Sequence, residues 1–420
     1  MTILISGDIP LSGTVSVSGS KNAALPLLAA AACVGQHVTL RNLPGSNDVA
    51  TMIGLLDHAG FDVSPSGTTI QVAPGTRPPG ALDEAARIRA SYYLVPALLG
   101  AHGQARLPWP GGCAIGTRGM DLHFRVYEVF GDRVTEHADG YTITRAPGAV
   151  PPPRINLPFR SRGATIAAVL RALVEGRPLI VGTPNLSPET LSVVRALGSC
   201  GVDVTVSATE LTVDPAPSLR PGRWVVPGDK IEAATLVCGL AITGGSGTIV
   251  GVDPGHLGPF LAALCTLGFA PEVGQDQVRL DASQRGAASP LRAVADLDPD
   301  GLDADFEPAL LVTSLGVEGT HRFGDAINPG RHTNLLGELA QLGARIEELT
   351  STLCELTGPQ RLRPGRVHAT DIRTGTALVL AALGVAGESR VIDTGQIQRG
   401  HTDLVGALTS LGAKIVQEQA

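Results

Sequence analysis

The residues best placed to do chemistry sit in six short polar leads, each running straight into an apolar segment: SKNAALP, IRASYY, SRGATIA, DKIEAAT, ADFEPAL and TDIRTGT. The leads carry Lys21, Arg89, Arg162, Lys230, Asp305 and Arg373 at the predicted starts of helices. The first N–H groups of a helix have no partner within it. The aligned peptide dipoles add about half a positive charge, so such an end is already an anion site. One lead alone reads more simply as an ordinary N-cap on a solvated surface. Six leads facing a common cleft would suit a multiply charged phosphate.

What must position these leads is an internal repeat. A helical apolar segment ending in Gly and followed by a short strand recurs in LLDHAGFDV, YEVFGDRV, VRALGSCGVDV, LAALCTLGFAPEV, LGELAQLGARIE and LVGALTSLGAKI. The glycines are Gly60, Gly131, Gly201, Gly268, Gly343 and Gly412, spaced by roughly 70 residues. Upstream of each lies a lead, an apolar helix, a Gly turn and a β-branched strand such as HVTLRNLP, GTIVGVD or SRVIDTG. Each unit reads as helix, strand, helix, strands. An even division predicts two domains of three units, joined near Val225–Lys230, where RPGRWVVPGDK supplies Pro and Gly. The expected boundaries are 20–228 for the first domain and 1–19 plus 229–420 for the second.

At 420 residues the chain exceeds one ordinary core. Hydrophobic residues are 43% and charged residues 17%, so a large interior can be buried and no stretch has the bias of a disordered tail. With 52 glycines and 3% aromatics, the interior must rest on Ala, Leu and Val. A net charge of −7 argues against a nucleic-acid-coating protein. The most apolar run, Ala24–Val34, is about half the ~20 residues needed to span a bilayer, and no secretory signal is evident, so a cytoplasmic location is expected. Six cysteines without a C-x-x-C pair fit reduced thiols rather than a zinc site or disulfide framework. Five of them, Cys33, Cys200, Cys238, Cys265 and Cys354, read as small filler in apolar helices.

GSKNAALPLLAAA followed by RNLPGSNDVATM resembles the opening of the UDP-N-acetylglucosamine enolpyruvyl (1-carboxyvinyl) transferases. LPWPGGCAIGTRGMDLH resembles their catalytic loop, P-G-G-C-x-I-G-x-R-x-x-D-L-H, which is the most specific of the matches. The six-fold repeat agrees with the wider EPSP synthase-like enolpyruvyl transferase superfamily. Lys21–Asn22 and the loop cysteine favour the peptidoglycan branch over the shikimate branch. The resemblance covers essentially the whole chain. It implies an α/β fold, a two-domain inside-out α/β barrel of six repeats with the active site in the interdomain cleft. It also implies transfer of the enolpyruvyl group of phosphoenolpyruvate to a uridine-nucleotide acceptor by addition–elimination, with no metal or organic cofactor and no obligatory protein partner.

The same resemblance implies roles. Cys113 is the loop cysteine that protonates or covalently traps the phosphoenolpyruvate methylene carbon, with Arg118 and Lys21 nearby to lower its pKa. Lys21, Arg118 and Arg399 match phosphate-holding residues, Arg331 and Arg373 lie toward the carboxylate end, and Arg89 is linked to loop closure. Asp305 matches the acid of the (T/D)-D-x-Q lead and would be the general base, with Asn22 bonding the same hydroxyl and Glu307 as a neighbouring carboxylate. Asp121 and His123 match residues on the acceptor side, where the uracil is held. Joint retention of Lys21, Cys113, Arg118, Asp305 and Arg399 argues against a retired binding protein on the same scaffold.

Four segments depart from the pattern. R-E-P-E appears as Leu186-Ser187-Pro188-Glu189 after Asn185, D-R-G-Y as Gln398-Arg399-Gly400-His401, and E-N-R-F as Pro329-Gly330-Arg331-His332. The basic residue before S-x-G-A-T is replaced by Phe159, with Arg160 and Arg162 as candidate substitutes. Phosphoenolpyruvate residues persist while acceptor residues drift. The first expectation for the acceptor is the 3-hydroxyl of UDP-N-acetylglucosamine, as in peptidoglycan precursor synthesis. The alternative is another acceptor such as uridine monophosphate, as in nucleoside-antibiotic biosynthesis.

Overall fold

The computed structural model describes residues 1–112, 119–146 and 154–418. These residues pack into two compact units, one of residues 1–18 and 228–418, the other of residues 19–112, 119–146 and 154–227. The fold is mixed α/β.

In the unit of residues 19–227 the helices are α1 (Lys21–Cys33), α2 (Asn47–His58), α3 (Val95–His102), α4 (Asp121–Val129), α5 (Arg162–Glu175) and α6 (Pro188–Ser199). In the other unit they are α7 (Lys230–Thr243), α8 (Gly258–Thr266), α9 (Glu307–Ser314), α10 (Pro329–Gln341), α11 (Ile372–Leu383), α12 (Gln396–Gly400) and α13 (Leu404–Ser410). Helices α1, α3 and α5 pack on one another in the first unit, and α7, α9 and α11 in the second. Their sequences are apolar on nearly every face and nearly every residue is buried, as a central helix requires. No described helix is long and apolar enough to cross a membrane.

Among the described residues there are six sheets, three in each unit. Val38–Arg41, then α2, then the hairpin Asp62–Ser66 and Thr69–Ala73 make one, with the first strand pairing antiparallel to the last. Gly222–Val225 joins its open edge in parallel. The same strand–helix–hairpin order, closed by one parallel strand, recurs around α6, α8 and α10. Around α13 the N-terminal strand Thr2–Gly7 takes the hairpin position, lying between Gly387–Asp393 and Lys414–Glu418.

Each outer helix of these units ends the same way. Gly60, Gly131, Gly201, Gly268, Gly343 and Gly412 all adopt φ between +83° and +107°, a left-handed backbone that a side chain would strain. After Gly60, Gly131, Gly268, Gly343 and Gly412 the next residue bonds back to the last turn, as in Phe61 N–H to Leu56 O at 3.1 Å and Phe269 N–H to Leu264 O at 3.0 Å. This is the Schellman closure, and it redirects the chain from helix into strand.

The leads divide by their capping chemistry. Ser20, Ser161, Asp229 and Asp371 accept from backbone N–H groups one turn into α1, α5, α7 and α11. The other two leads do not open an α-helix directly. Arg89 starts a 3₁₀ helix (Arg89–Leu94), and the α-helix begins only at Val95, with Pro96 in its first turn. Asp305 lies two residues ahead of α9, whose first turn holds Pro308. A proline ring fits only where no N–H is needed, so it fixes both starts downstream of the charged residue. Cysteines also depart from expectation: Cys265 is exposed, and Cys354 lies in the strand Leu353–Gly358 rather than in a helix.

Candidate active site

A dense charge cluster of the unit of residues 1–18 and 228–418 is built from the starts of α7, α9, α10 and α11. Asp305 accepts from Arg331 Nη2 at 3.0 Å through Oδ1 and from Arg373 Nη2 at 3.2 Å through Oδ2. Arg331 also donates to the carbonyl of Ala304 at 2.9 Å and lies 3.8 Å from Asp325 and 3.9 Å from Asp371. Asp303 accepts from the Asp305 N–H at 3.0 Å and meets Lys230 Nζ at 2.8 Å. Lys230 also stands over the Phe306 ring. Burial disfavours the charged form of Arg331, but Asp305, Asp325 and Asp371 outweigh it and raise its pKa above the ordinary value. Arg373 follows the same logic, with burial opposed by Asp305, Asp229 and Asp303.

This cluster brings together three of the predicted residues, Asp305, Arg331 and Arg373, and shows why the neighbouring Glu307 is a different kind of group. Asp305 keeps partial exposure, whereas Glu307 is sealed against His332, with Nδ1 and Oε1 3.4 Å apart. Arg399 lies in α12, which packs on α11, and donates to Gln396 Oε1 at 3.3 Å.

In the unit of residues 19–227, Lys21 is the first residue of α1 and contacts Asp48 of α2 at 3.3 Å, both side chains being buried. Asn22 follows it in the same turn. Arg89 donates to the Gly119 carbonyl at 3.2 Å, just ahead of Asp121 at the start of α4. His123, on the next face of α4, is buried against Tyr92 with ring centroids 4.3 Å apart, and neither ring nitrogen has a hydrogen-bond partner. Burial, reinforced by the Arg89 charge, pushes His123 down to about 3, so it is a neutral imidazole. Gly163, in the first turn of α5, makes this approach possible. A Cβ there would sit 2.3 Å from His123 Nε2 and 2.9 Å from the Tyr92 hydroxyl.

Arg160 donates to the carbonyls of Pro184 and Ala208, at 2.9 and 3.0 Å, and Arg162 lies 3.5 Å from the buried Glu189. Cys113 and Arg118 lie outside the described residues. Sequence reasoning passed over Asp303, Asp325, Asp371, Tyr92 and Gly163. Asp371 carried a legible signal, an Asp immediately before a helical run. Tyr92 carried none, because its partner comes from another helix.

Residues 5–408 match the profile of the family EPSP synthase (3-phosphoshikimate 1-carboxyvinyltransferase). The chain belongs to this family. UDP-N-acetylglucosamine 1-carboxyvinyltransferase 1 of Streptococcus agalactiae is similar to it, 31% identical over 420 residues and 98% of both chains. The UDP-N-acetylglucosamine 1-carboxyvinyltransferase of Thermus thermophilus is 33% identical, over 98% of this chain and 96% of its own. Among solved structures, the enolpyruvyl transferase NikO from Streptomyces tendae superposes with a TM-score of 0.88 at 26% identity, covering 100% of this chain and 99% of that one. EPSP synthase from Acinetobacter baumannii shares the fold at a TM-score of 0.77 and 14% identity, over 100% of both chains. Like these carboxyvinyl transferases, the protein is an enzyme.

Proposed function

We propose that the protein transfers the enolpyruvyl group of phosphoenolpyruvate to a hydroxyl of a uridine-nucleotide acceptor, with the 3-hydroxyl of UDP-N-acetylglucosamine as the first candidate. In this reading six α/β repeats form a two-domain inside-out barrel, with domains 20–228 and 1–19 plus 229–420, and the reaction runs in the cleft between them. The observation that carries the reading is Asp305 held between two guanidinium groups. The phosphoenolpyruvate carboxylate would take donors from Arg331 and Arg373 by charge-assisted hydrogen bonds. That competition would release Asp305 from its ion pairs just when a hydroxyl proton has to be taken. Lys21, Arg118 and Arg399 would hold the phosphate, Arg89 would serve loop closure, and Asn22 would orient the hydroxyl.

In the addition step the acceptor oxygen bonds to C2, Asp305 takes its proton, and Cys113 delivers a proton to C3. A phosphorylated tetrahedral ketal results. In the elimination step C3 loses a proton, the C2–O bond to phosphate breaks, and the enolpyruvyl ether and inorganic phosphate leave. Asp121 and the neutral His123 would face the uracil end of the acceptor.

A smaller acceptor such as uridine monophosphate is the second reading. It is favoured by the lost Arg-Glu pair before Pro188 and by the engagement of Arg160 and Arg162 elsewhere. Phosphate release from phosphoenolpyruvate, measured with UDP-N-acetylglucosamine and with uridine monophosphate, tests both readings. Release only when an acceptor is present supports the reaction, and turnover with the monophosphate alone selects the second acceptor. Release with neither would refute enolpyruvyl transfer to a uridine nucleotide.

A further inference from the structure

Glu307 opens α9 and His332 lies in the first turn of α10, each about 1% exposed. Their nearest approach, His332 Nδ1 to Glu307 Oε1, is 3.4 Å, a long ion-pair contact that falls short of a full hydrogen bond. His332 Nε2 is likewise buried without a hydrogen-bond partner. Both residues stand where the sequence leaves the pattern it otherwise resembles. The lead (T/D)-D-x-Q has Gln at the position of Glu307, and E-N-R-F has Phe at the position of His332. In this chain the two positions hold a buried acid beside a buried base.

Burying a lone carboxylate or a lone imidazolium costs several kcal/mol, so two such substitutions are tolerable together when they share one proton. Two states satisfy this: carboxylate with imidazolium, or carboxylic acid with imidazole. The charged and titratable groups facing the pair are Asp325 ahead of α10, Arg331 on α10, and Cys354 on the strand Leu353–Gly358. Burial raises the Glu307 pKa, His332 opposes that shift, Asp325 adds to it and Arg331 opposes it. Loss of the shared proton would leave a charged carboxylate sealed beside a neutral ring.

The location gives the pair its consequence. Glu307 is two residues beyond Asp305, and His332 directly follows Arg331. The two helix starts are therefore joined three times: Arg331 to Asp305 at 3.0 Å, Arg331 to the Ala304 carbonyl at 2.9 Å, and His332 to Glu307. We propose that Glu307 and His332 are a proton-sharing positioning pair that holds Asp305 and Arg331 in register. The inference rests on the enolpyruvyl-transfer reading for its kinetic consequence but not for its titration.

The test compares wild type, Glu307→Gln, His332→Phe and the double variant in phosphate release across pH, with thermal melting as the folding control. His332→Phe alone strands the acid and should lower kcat about tenfold. The double variant removes acid and base together and should recover to within about threefold of wild type. Glu307→Gln, which keeps the shape, should shift the alkaline limb of the wild-type pH profile. His332→Phe within twofold of wild type, or a double variant no better than that single one, would overturn the pair. Failure of the wild type to turn over would instead refute the functional reading. The pair would then be judged by ¹⁵N imidazole shifts: a His332 titration displaced in Glu307→Gln supports it, and an unchanged titration overturns it.

Discussion

Two acid–arginine clusters, one in each unit, look alike in composition and differ in how completely they are closed. In the unit of residues 19–227, Arg171 meets both oxygens of Asp132 at 2.7 and 2.8 Å and reaches Glu175 at 2.7 Å, all three nitrogens engaged, with the Phe130 ring 5.0 Å away. Asp132 and Arg171 are almost fully excluded from solvent. In the other unit Arg331 leaves Nε without a hydrogen bond, faces Asp325 and Asp371 at 3.8 and 3.9 Å, and shares Asp305 with Arg373. A bidentate pair that engages all three nitrogens and is almost fully buried gives another anion little access. A cluster with long contacts and a shared, partly exposed carboxylate can exchange partners. Composition and charge do not separate these two clusters, but the engagement of their guanidinium nitrogens does.

The first way to break this comparison is to open the closed pair. Asp132→Ala would leave the Arg171 guanidinium buried with its main partner gone, and should cost about 3–5 kcal/mol of stability. Chemical denaturation would show it, while kcat at a temperature where the variant stays folded should be near that of wild type. A stable variant with lost turnover would reverse the assignment of the two clusters.

A smaller effect concerns a buried acid that has no ion pair among the described residues. Glu232 accepts from the Ser18 hydroxyl and backbone N–H, and burial pushes it up to about 7, with Ser18 opposing and Asp229 adding to the shift. A carboxyl raised in the folded state binds a proton that the unfolded chain releases near 4.5. Its contribution to stability is therefore present below that pH and is lost as pH rises through about 7. Glu232→Gln should flatten this part of the stability curve and gain over wild type above pH 7. Parallel curves for the two proteins would show that Glu232 does not titrate there.

Much of the scaffold was legible because it is written locally. Ser20, Ser161, Asp229 and Asp371 cap the helices their leads announce, and the six spaced glycines close the helices they follow. The Arg89 and Asp305 leads misplaced the helix starts, because Pro96 and Pro308 govern the first turn whatever charge precedes them. The site was legible only as a set of charged residue types. Which acid meets which arginine depends on the starts of α9, α10 and α11 meeting in space across a long sequence separation. For the same reason neither the Asp132–Arg171 pair nor the Glu307–His332 pair could be anticipated.

The most direct test of the account is the single-turnover rate of phosphate release from phosphoenolpyruvate by Asp305→Ala beside wild type, with UDP-N-acetylglucosamine and with uridine monophosphate. Melting and substrate titrations of the same samples would show whether fold and binding survive. The variant should bind both substrates, keep its fold, and release phosphate at least about a hundredfold more slowly, the scale of a lost general base. Release within about tenfold of wild type, from a folded and saturated variant, would contradict the assignment of Asp305 and with it the reading of the open cluster as the reactive one.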